Sequence, residues 1–237
     1  PGFVYAHNRH NEFNLNIAYL KGSVSGQRFH GNLALMAGTY ANANLAAEPA
    51  TFRNIFEANA GIKLSKKADL WVDAGVFGSH IGFESAVGKD CWTLTRSILA
   101  DNSPYYEAGA KLSYNTPNGQ WFFSALVLNG WQRIQRMPGN SAVSGGWQVQ
   151  YKPSGNITLN SSTFFGSDKP DSVSLSRAFH NFYGIFQLTD KFGLTLGFDS
   201  GWEDNPRAGE QSNFWYSPVL IARYAINDRL TLAARGE

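Results

Sequence analysis

Residues 106–114 read Tyr106-Glu107-Ala108-Gly109-Ala110-Lys111-Leu112-Ser113-Tyr114. Every second residue is apolar or aromatic, and those between are Glu, Gly, Lys and Ser. Successive side chains of a strand point to opposite faces, so this stretch has one oily face and one wet, ionic face. The same period-two pattern recurs along the chain. Phe56, Ala58, Ala60, Ile62 and Leu64 alternate with Glu57, Asn59, Gly61 and Lys63. Leu70, Val72, Ala74 and Val76 alternate with Trp71, Asp73 and Gly75; Phe192, Leu194, Leu196 and Phe198 alternate with Gly193, Thr195, Gly197 and Asp199. Further strands are expected at 12–21, 28–37, 120–128, 142–152, 156–166, 173–188, 213–226 and 229–237. That makes about twelve, most near the ~9–11 residues a tilted strand needs to cross a bilayer.

Composition narrows the class. The 237 residues are 43% hydrophobic, 14% aromatic and only 16% charged, with 24 Gly. This is too apolar for a disordered chain. The net charge of +2 comes without a basic tail and gives no case for nucleic acid. The single Cys91 rules out an internal disulfide framework or a multi-cysteine zinc site. The longest purely apolar run is Leu33–Ala37, far short of the roughly 20 residues of a membrane helix. No signal-peptide pattern follows Pro1, which suggests a processed chain or a fragment.

Two all-β classes remain, a soluble sandwich or barrel and a transmembrane barrel. The wet rows carry Arg28, Glu57, Lys63, Asp73, Glu107, Lys111 and Asp199, which a packed soluble core would reject, and a soluble protein would have to bury every long oily row. Oily rows facing lipid and wet rows facing a watery lumen remove both conflicts. Connection lengths agree. Short turns at 22–26, 65–69, 115–119, 153–155, 189–191 and 227–228 alternate with longer loops at 40–54, 79–104, 129–141, 167–172 and 203–212. Transmembrane barrels have short periplasmic turns and longer outer loops. The expectation is a transmembrane antiparallel up-and-down β-barrel over residues 1–237, with loop 79–104 inserted. With both termini periplasmic and an even strand number, at least 14 strands are expected in the full chain.

Four strings resemble a known family: Gly78-Ser79-His80-Ile81-Gly82-Phe83-Glu84, Ser103-Pro104-Tyr105-Tyr106, Asn129-Gly130-Trp131 and His180-Asn181-Phe182-Tyr183-Gly184. Together they resemble the OmpL-like β-barrel porin family of Gram-negative outer membranes, many of them from Bacteroidota. The resemblance implies an outer-membrane, porin-like barrel without a catalytic residue or a defined substrate.

Expected function follows from the two faces. Arg28, His30, Glu57, Lys63, Asp73, Glu107, Lys111, Asp199, Arg223 and Arg229 are the expected pore-lining residues, with Arg235 beside them. Salt bridges that stiffen the wall are the plainer role for any one of them. The long loop 79–104 carries a helix-like spacing after Asp90, from Cys91 to Leu99. It is a candidate constriction, with polar candidates His80, Glu84, Lys89, Asp90 and Arg96; an outer lid with solvated charges is the alternative. Phe13, Tyr19, Phe29, Tyr106, Tyr114, Phe192, Phe198, Phe214 and Tyr216 are candidate interfacial aromatics. Trp121, Phe122 and Phe123 would sit at the periplasmic rim.

Chemical motifs are weak. His7, His10, His30, His80 and His180 do not form a ligand set, so no metal or cofactor is expected. No nucleotide loop or nucleophile elbow occurs. An outer-membrane hydrolase would need His180 or His30 to meet a serine in space, and no such convergence is visible in the sequence. The leading reading is passive diffusion of small polar solutes or ions, with outer-membrane lipid as the main partner. The runner-up is a plugged barrel that anchors a surface protein complex. Homo-oligomerisation is left open.

Overall fold

The chain is described by a computed structural model covering residues 5–173, 175–205 and 211–237. Its first six strands are β1 (Ala18–Ser25), β2 (Phe29–Ala37), β3 (Ile55–Lys63), β4 (Asp69–Gly78), β5 (Tyr106–Asn115) and β6 (Trp121–Leu128). The remainder are β7 (Ser144–Ser154), β8 (Ile157–Gly166), β9 (Arg177–Gln187), β10 (Phe192–Glu203), β11 (Asn213–Asn227) and β12 (Leu230–Gly236). All twelve form one sheet in sequence order, each antiparallel to its neighbours. Among the described residues β1 and β12 do not pair, so the sheet is not closed. Two short helices, α1 (Thr39–Asn44) and α2 (Ile98–Asp101), lie in long connections. No helix among the described residues is long and apolar enough to cross a membrane.

Register carries the wet rows onto one face. Gly61 of β3 stands opposite His30 on one side and Asp73 on the other, and Asp73 stands opposite Lys111. The same face continues from Ser113 through Ser124, Gln148, Ser162, Asn181 and Asp199 to Ser217, each opposite the next. The other face joins Phe29, Ile62, Val72, Leu112, Ala125 and Trp147 in the same manner.

An apolar cluster of Phe77, Ile81, Leu126, Leu128, Phe164 and Phe179 is buried on the loop side of the wet face, but along the charged and oily rows burial is inverted relative to a soluble protein. Glu107 is 0% and Asp199 3% exposed, whereas Leu196 is 42%, Ile62 54% and Leu20 82% exposed. An apolar side chain of this size left in water forgoes ~1.5–3 kcal/mol. Rows of them across a whole sheet are compatible with a stable fold only where hydrocarbon replaces water. Ten-residue strands such as β4 and β5 fit this. At ~3.3 Å per residue and a tilt of ~40°, ten residues rise roughly 25 Å, the height of the apolar band of such barrels.

Aromatic rings collect near both ends of the oily face. Trp121 stacks on Tyr151 at 4.2 Å and on Phe123 at 5.9 Å near the short turns. At the long-loop end Tyr216 lies 6.2 Å from both Phe198 and Phe214. Three of the expected placements change. Phe13 lies before the first strand, Tyr19 falls in the wet row with Lys21 and Ser23 and stacks on Phe56 at 4.9 Å, and Tyr106 is buried with its hydroxyl donating to Glu48 at 3.2 Å.

The first hairpin departs from the expectation. Residues 12–17 are outside the sheet, and their backbone is used elsewhere. Thr39 N–H donates to the Leu15 carbonyl and Tyr40 N–H to the Asn16 carbonyl, each at 2.9 Å. The segment 22–26, expected as a turn, is mostly strand. Ser23 pairs with Asn32 across the wet face, and the chain reverses only at 26–28. The remaining connections keep their short–long alternation. Part of the expected loop 203–212 lies outside the described residues.

Candidate functional site

Ionic side chains of the wet face are paired across strands. Lys21 reaches Glu57 at 2.5 Å, His30 reaches Asp73 at 2.5 Å, and Lys63 reaches Asp69 at 3.0 Å. Trp71 backs this group, 4.9 Å from the His30 ring and 5.7 Å from Lys63 Nζ. Lys111 Nζ lies 5.0 Å from the Phe77 ring centre. Asp199 accepts from the Asn181 amide at 2.5 Å, and Arg223 donates to Gln187 at 2.9 Å. Two residues expected in the wall lie in turns instead. Arg28 precedes β2 and donates to the Lys63 carbonyl, and Arg229 is exposed between β11 and β12. Pairing explains how so many charges can share one face, since an unpaired charge away from water is costly.

The connection after β4 folds across this wet face. Its side chains meet strands from β5 to β12. Phe83 packs 5.5 Å from Tyr183, Trp92 lies under the Arg223 guanidinium at 4.3 Å, and Leu99 clusters with Val219 and Ile221. Arg235 donates to the Thr95 carbonyl at 2.6 Å and to Thr93 at 3.1 Å. Its local structure differs from the helix expected after Asp90. A 3-10 turn covers Gly88–Asp90, and the helix is only α2, capped by Ser97, whose hydroxyl accepts from Ala100 N–H at 3.2 Å. Trp92 contacts β11 and Thr93 and Thr95 contact β12, and the backbone bends through 91–95 instead of coiling into a helix before Ser97.

The five polar loop candidates divide by what they touch. Arg96 is buried and donates to the carbonyls of Ser85 at 2.6 Å, Leu94 at 3.3 Å and Ala86 at 3.4 Å. Glu84 accepts from Ser97 N–H at 2.9 Å and from the Ser97 hydroxyl. These two side chains fasten the loop to itself. Lys89 and Asp90 form an exposed pair at 2.6 Å.

His80 fastens the loop to the wall. Its Nδ1 lies 2.8 Å from Glu107 on β5 and its Nε2 2.7 Å from the Thr163 carbonyl on β8. Both partners are acceptors, so both ring nitrogens donate and the ring is an imidazolium. Burial opposes that charge, but the Glu107 carboxylate and the Thr163 carbonyl outweigh it and hold the His80 pKa above its ordinary value. The ring passes over Gly146 of β7, where a Cβ would stand 2.8 Å from Nε2 and would also collide with the Thr163 carbonyl.

The sequence reading missed this role of glycine. On β10, a Cβ at Gly193 would meet Trp92 and one at Gly197 would meet Phe83, each at 2.8 Å. Gly201 leaves room for the Trp215 ring. The four-residue spacing of these glycines within a wet row was the available signal. Arg177, Trp131, Glu203 and Asp168 were also missed. Arg177 pairs with Glu203 at 2.9 Å and Asp168 at 3.6 Å, and its guanidinium lies 5.0 Å from the Trp131 ring. Among the described residues no three His, Cys, Asp or Glu side chains group to hold a metal.

A family model described as Putative beta-barrel porin-2, OmpL-like, matches residues 2–237. No curated protein matches the chain.

Proposed function

The chain belongs to the OmpL-like β-barrel porin family, and we propose that it forms the wall of an outer-membrane channel for passive diffusion of small polar solutes or ions. The family implies the outer membrane and a porin-like barrel, and porin-like families are in general non-enzymatic. The observation that carries the reading is the single polar face of the sheet, crossed by loop 79–104 and backed by an oily face. Hydrocarbon lipid covers the oily face, and water and solute run along the paired charges of the other. The covering loop narrows the path, with Lys89 and Asp90 as its exposed charges.

A second reading has its own support. The loop is held by Phe83, Trp92, His80 and Arg235 against strands β5 to β12, which suits a plugged barrel that anchors a surface complex. Planar-bilayer recording of the full-length protein separates the two. The channel reading expects a steady conductance that rises when residues 86–102 are deleted. A silent wild type that conducts only after the deletion supports the plugged barrel. Equal conductance with and without the segment would remove the constriction.

A further inference from the structure

We propose that the cavity at the long-loop end of the sheet is a binding site for a neutral saccharide entering the channel. The proposal deepens the channel reading and rests on it. A space of about 870 Å³ lies between α2, the Trp131–Gln132 corner and the loop-side ends of β9 to β11. That is within the size range of small-molecule sites.

One wall is aromatic. Phe179 lies 4.8 Å from Trp131 and 6.5 Å from Trp215, and Trp215 lies across Gly201 where no side chain intervenes. The C–H face of a pyranose ring packs on such surfaces, while its hydroxyls need acceptors around the rim. The rim is rich in carboxylates: Asp101, Asp199, Glu203 and Glu237 all line the cavity.

Those carboxylates are partnered within the protein. Glu203 pairs with Arg177 at 2.9 Å and Glu237 with Arg235 at 3.0 Å. Asp101 accepts from the backbone N–H of Tyr5 at 3.2 Å and from the Tyr105 hydroxyl at 3.1 Å; Asp199 accepts from Asn181. Each carboxylate has more lone pairs than these bonds use, so ligand hydroxyls can still donate to it. An anion would face four carboxylates and one arginine already engaged. An organic cation would compete for the Trp131 face, which the Arg177 guanidinium already occupies. A neutral polyhydroxylated ring meets no like charge and stacks on the Trp215 face, over which no cation lies among the described residues.

The test is equilibrium binding to the full-length protein in lipid nanodiscs, followed by intrinsic tryptophan fluorescence. The probes are neutral trisaccharides of gluco, galacto, manno and xylo configuration, with trigalacturonate and choline as charged comparisons. Saturable binding of at least one neutral trisaccharide is expected, weakened about tenfold by Trp215→Ala and less by Trp215→Phe, which keeps an aromatic face. Binding of choline or trigalacturonate alone overturns the proposal. So does saccharide binding that both Trp215 variants leave intact, or no binding by any probe. Planar-bilayer conductance is read separately. Current without saccharide binding removes this site and leaves the channel, and binding without current removes the channel and leaves the site.

Discussion

Leu196→Arg is expected to destabilise the barrel in a bilayer by ~2–4 kcal/mol. Leu196 lies on the oily face of β10, opposite Leu220, away from both strand ends, and 42% of it is exposed. In a water-soluble sheet a side chain this open would tolerate arginine within about 0.5 kcal/mol. In a bilayer the same position meets hydrocarbon, and the guanidinium must be carried toward the headgroups. Urea titration of the full-length protein refolded into lipid vesicles measures the difference. Leu188→Arg, at the exposed turn between β9 and β10, is expected to cost much less because the headgroup region is close. Equal, small effects at both positions would contradict the assignment of the oily face to lipid.

His80→Ala is expected to release the covering loop. The substitution leaves the Glu107 carboxylate buried without its counter-charge, and Glu107 Oε1 already has no hydrogen-bond partner among the described residues. Removing one partner of a buried ion pair costs ~3–5 kcal/mol. The released loop should be cut by protease at lower concentrations than wild type, and channel current should become larger and noisier. Lys89→Ala, at an exposed pair that does not fasten the loop to the wall, should leave its protease sensitivity unchanged. Protonation gives a second readout. The His80 pKa is raised in the folded state by Glu107 and Thr163, against burial and the Lys111 charge. Its stabilisation is therefore complete below the ordinary histidine value of about 6.5 and is lost as pH rises through the raised value. Protease sensitivity of the loop should increase over that alkaline limb, and His80→Ala should abolish the dependence.

The alternation that decides the fold is a backbone property, so it was legible strand by strand. Glu107, Lys111, Asp73 and Asp199 fall on one face because each wet row is continuous and each register slip would expose it. The first hairpin was misread because Phe13, Leu15 and Ile17 also alternate. What removes them from the sheet is a tertiary contact with the start of α1, which no local pattern encodes. Gly22 and Gly26 flank a serine pair that resembles a turn, yet Ser23 is needed opposite Asn32.

The loop shows the same limit. Its length marked it as unusual, but its anchors lie far away in sequence. Arg235 reaches Thr95 across 140 residues, and His80 reaches Thr163 across 83. The helix was placed too early because the spacing from Cys91 to Leu99 fits a helix as well as it fits a bent segment anchored to β11 and β12 through Trp92, Thr93 and Thr95. Ser97, with Pro104 beyond, carried the local signal for the later start. Roles for Glu84 and Arg96 inside the loop, rather than toward solute, follow only from the fold.

The side assignment can be measured directly with single fluorophores attached to the full-length protein in vesicles. Cys91, the one native cysteine, is replaced by serine, and a cysteine is introduced as Leu196→Cys on one face or Lys111→Cys on the other. A lipid-borne quencher should silence the label at 196 and spare that at 111, and aqueous iodide should do the reverse. A lipid-quenched label at 111 with an iodide-quenched label at 196 would contradict the account.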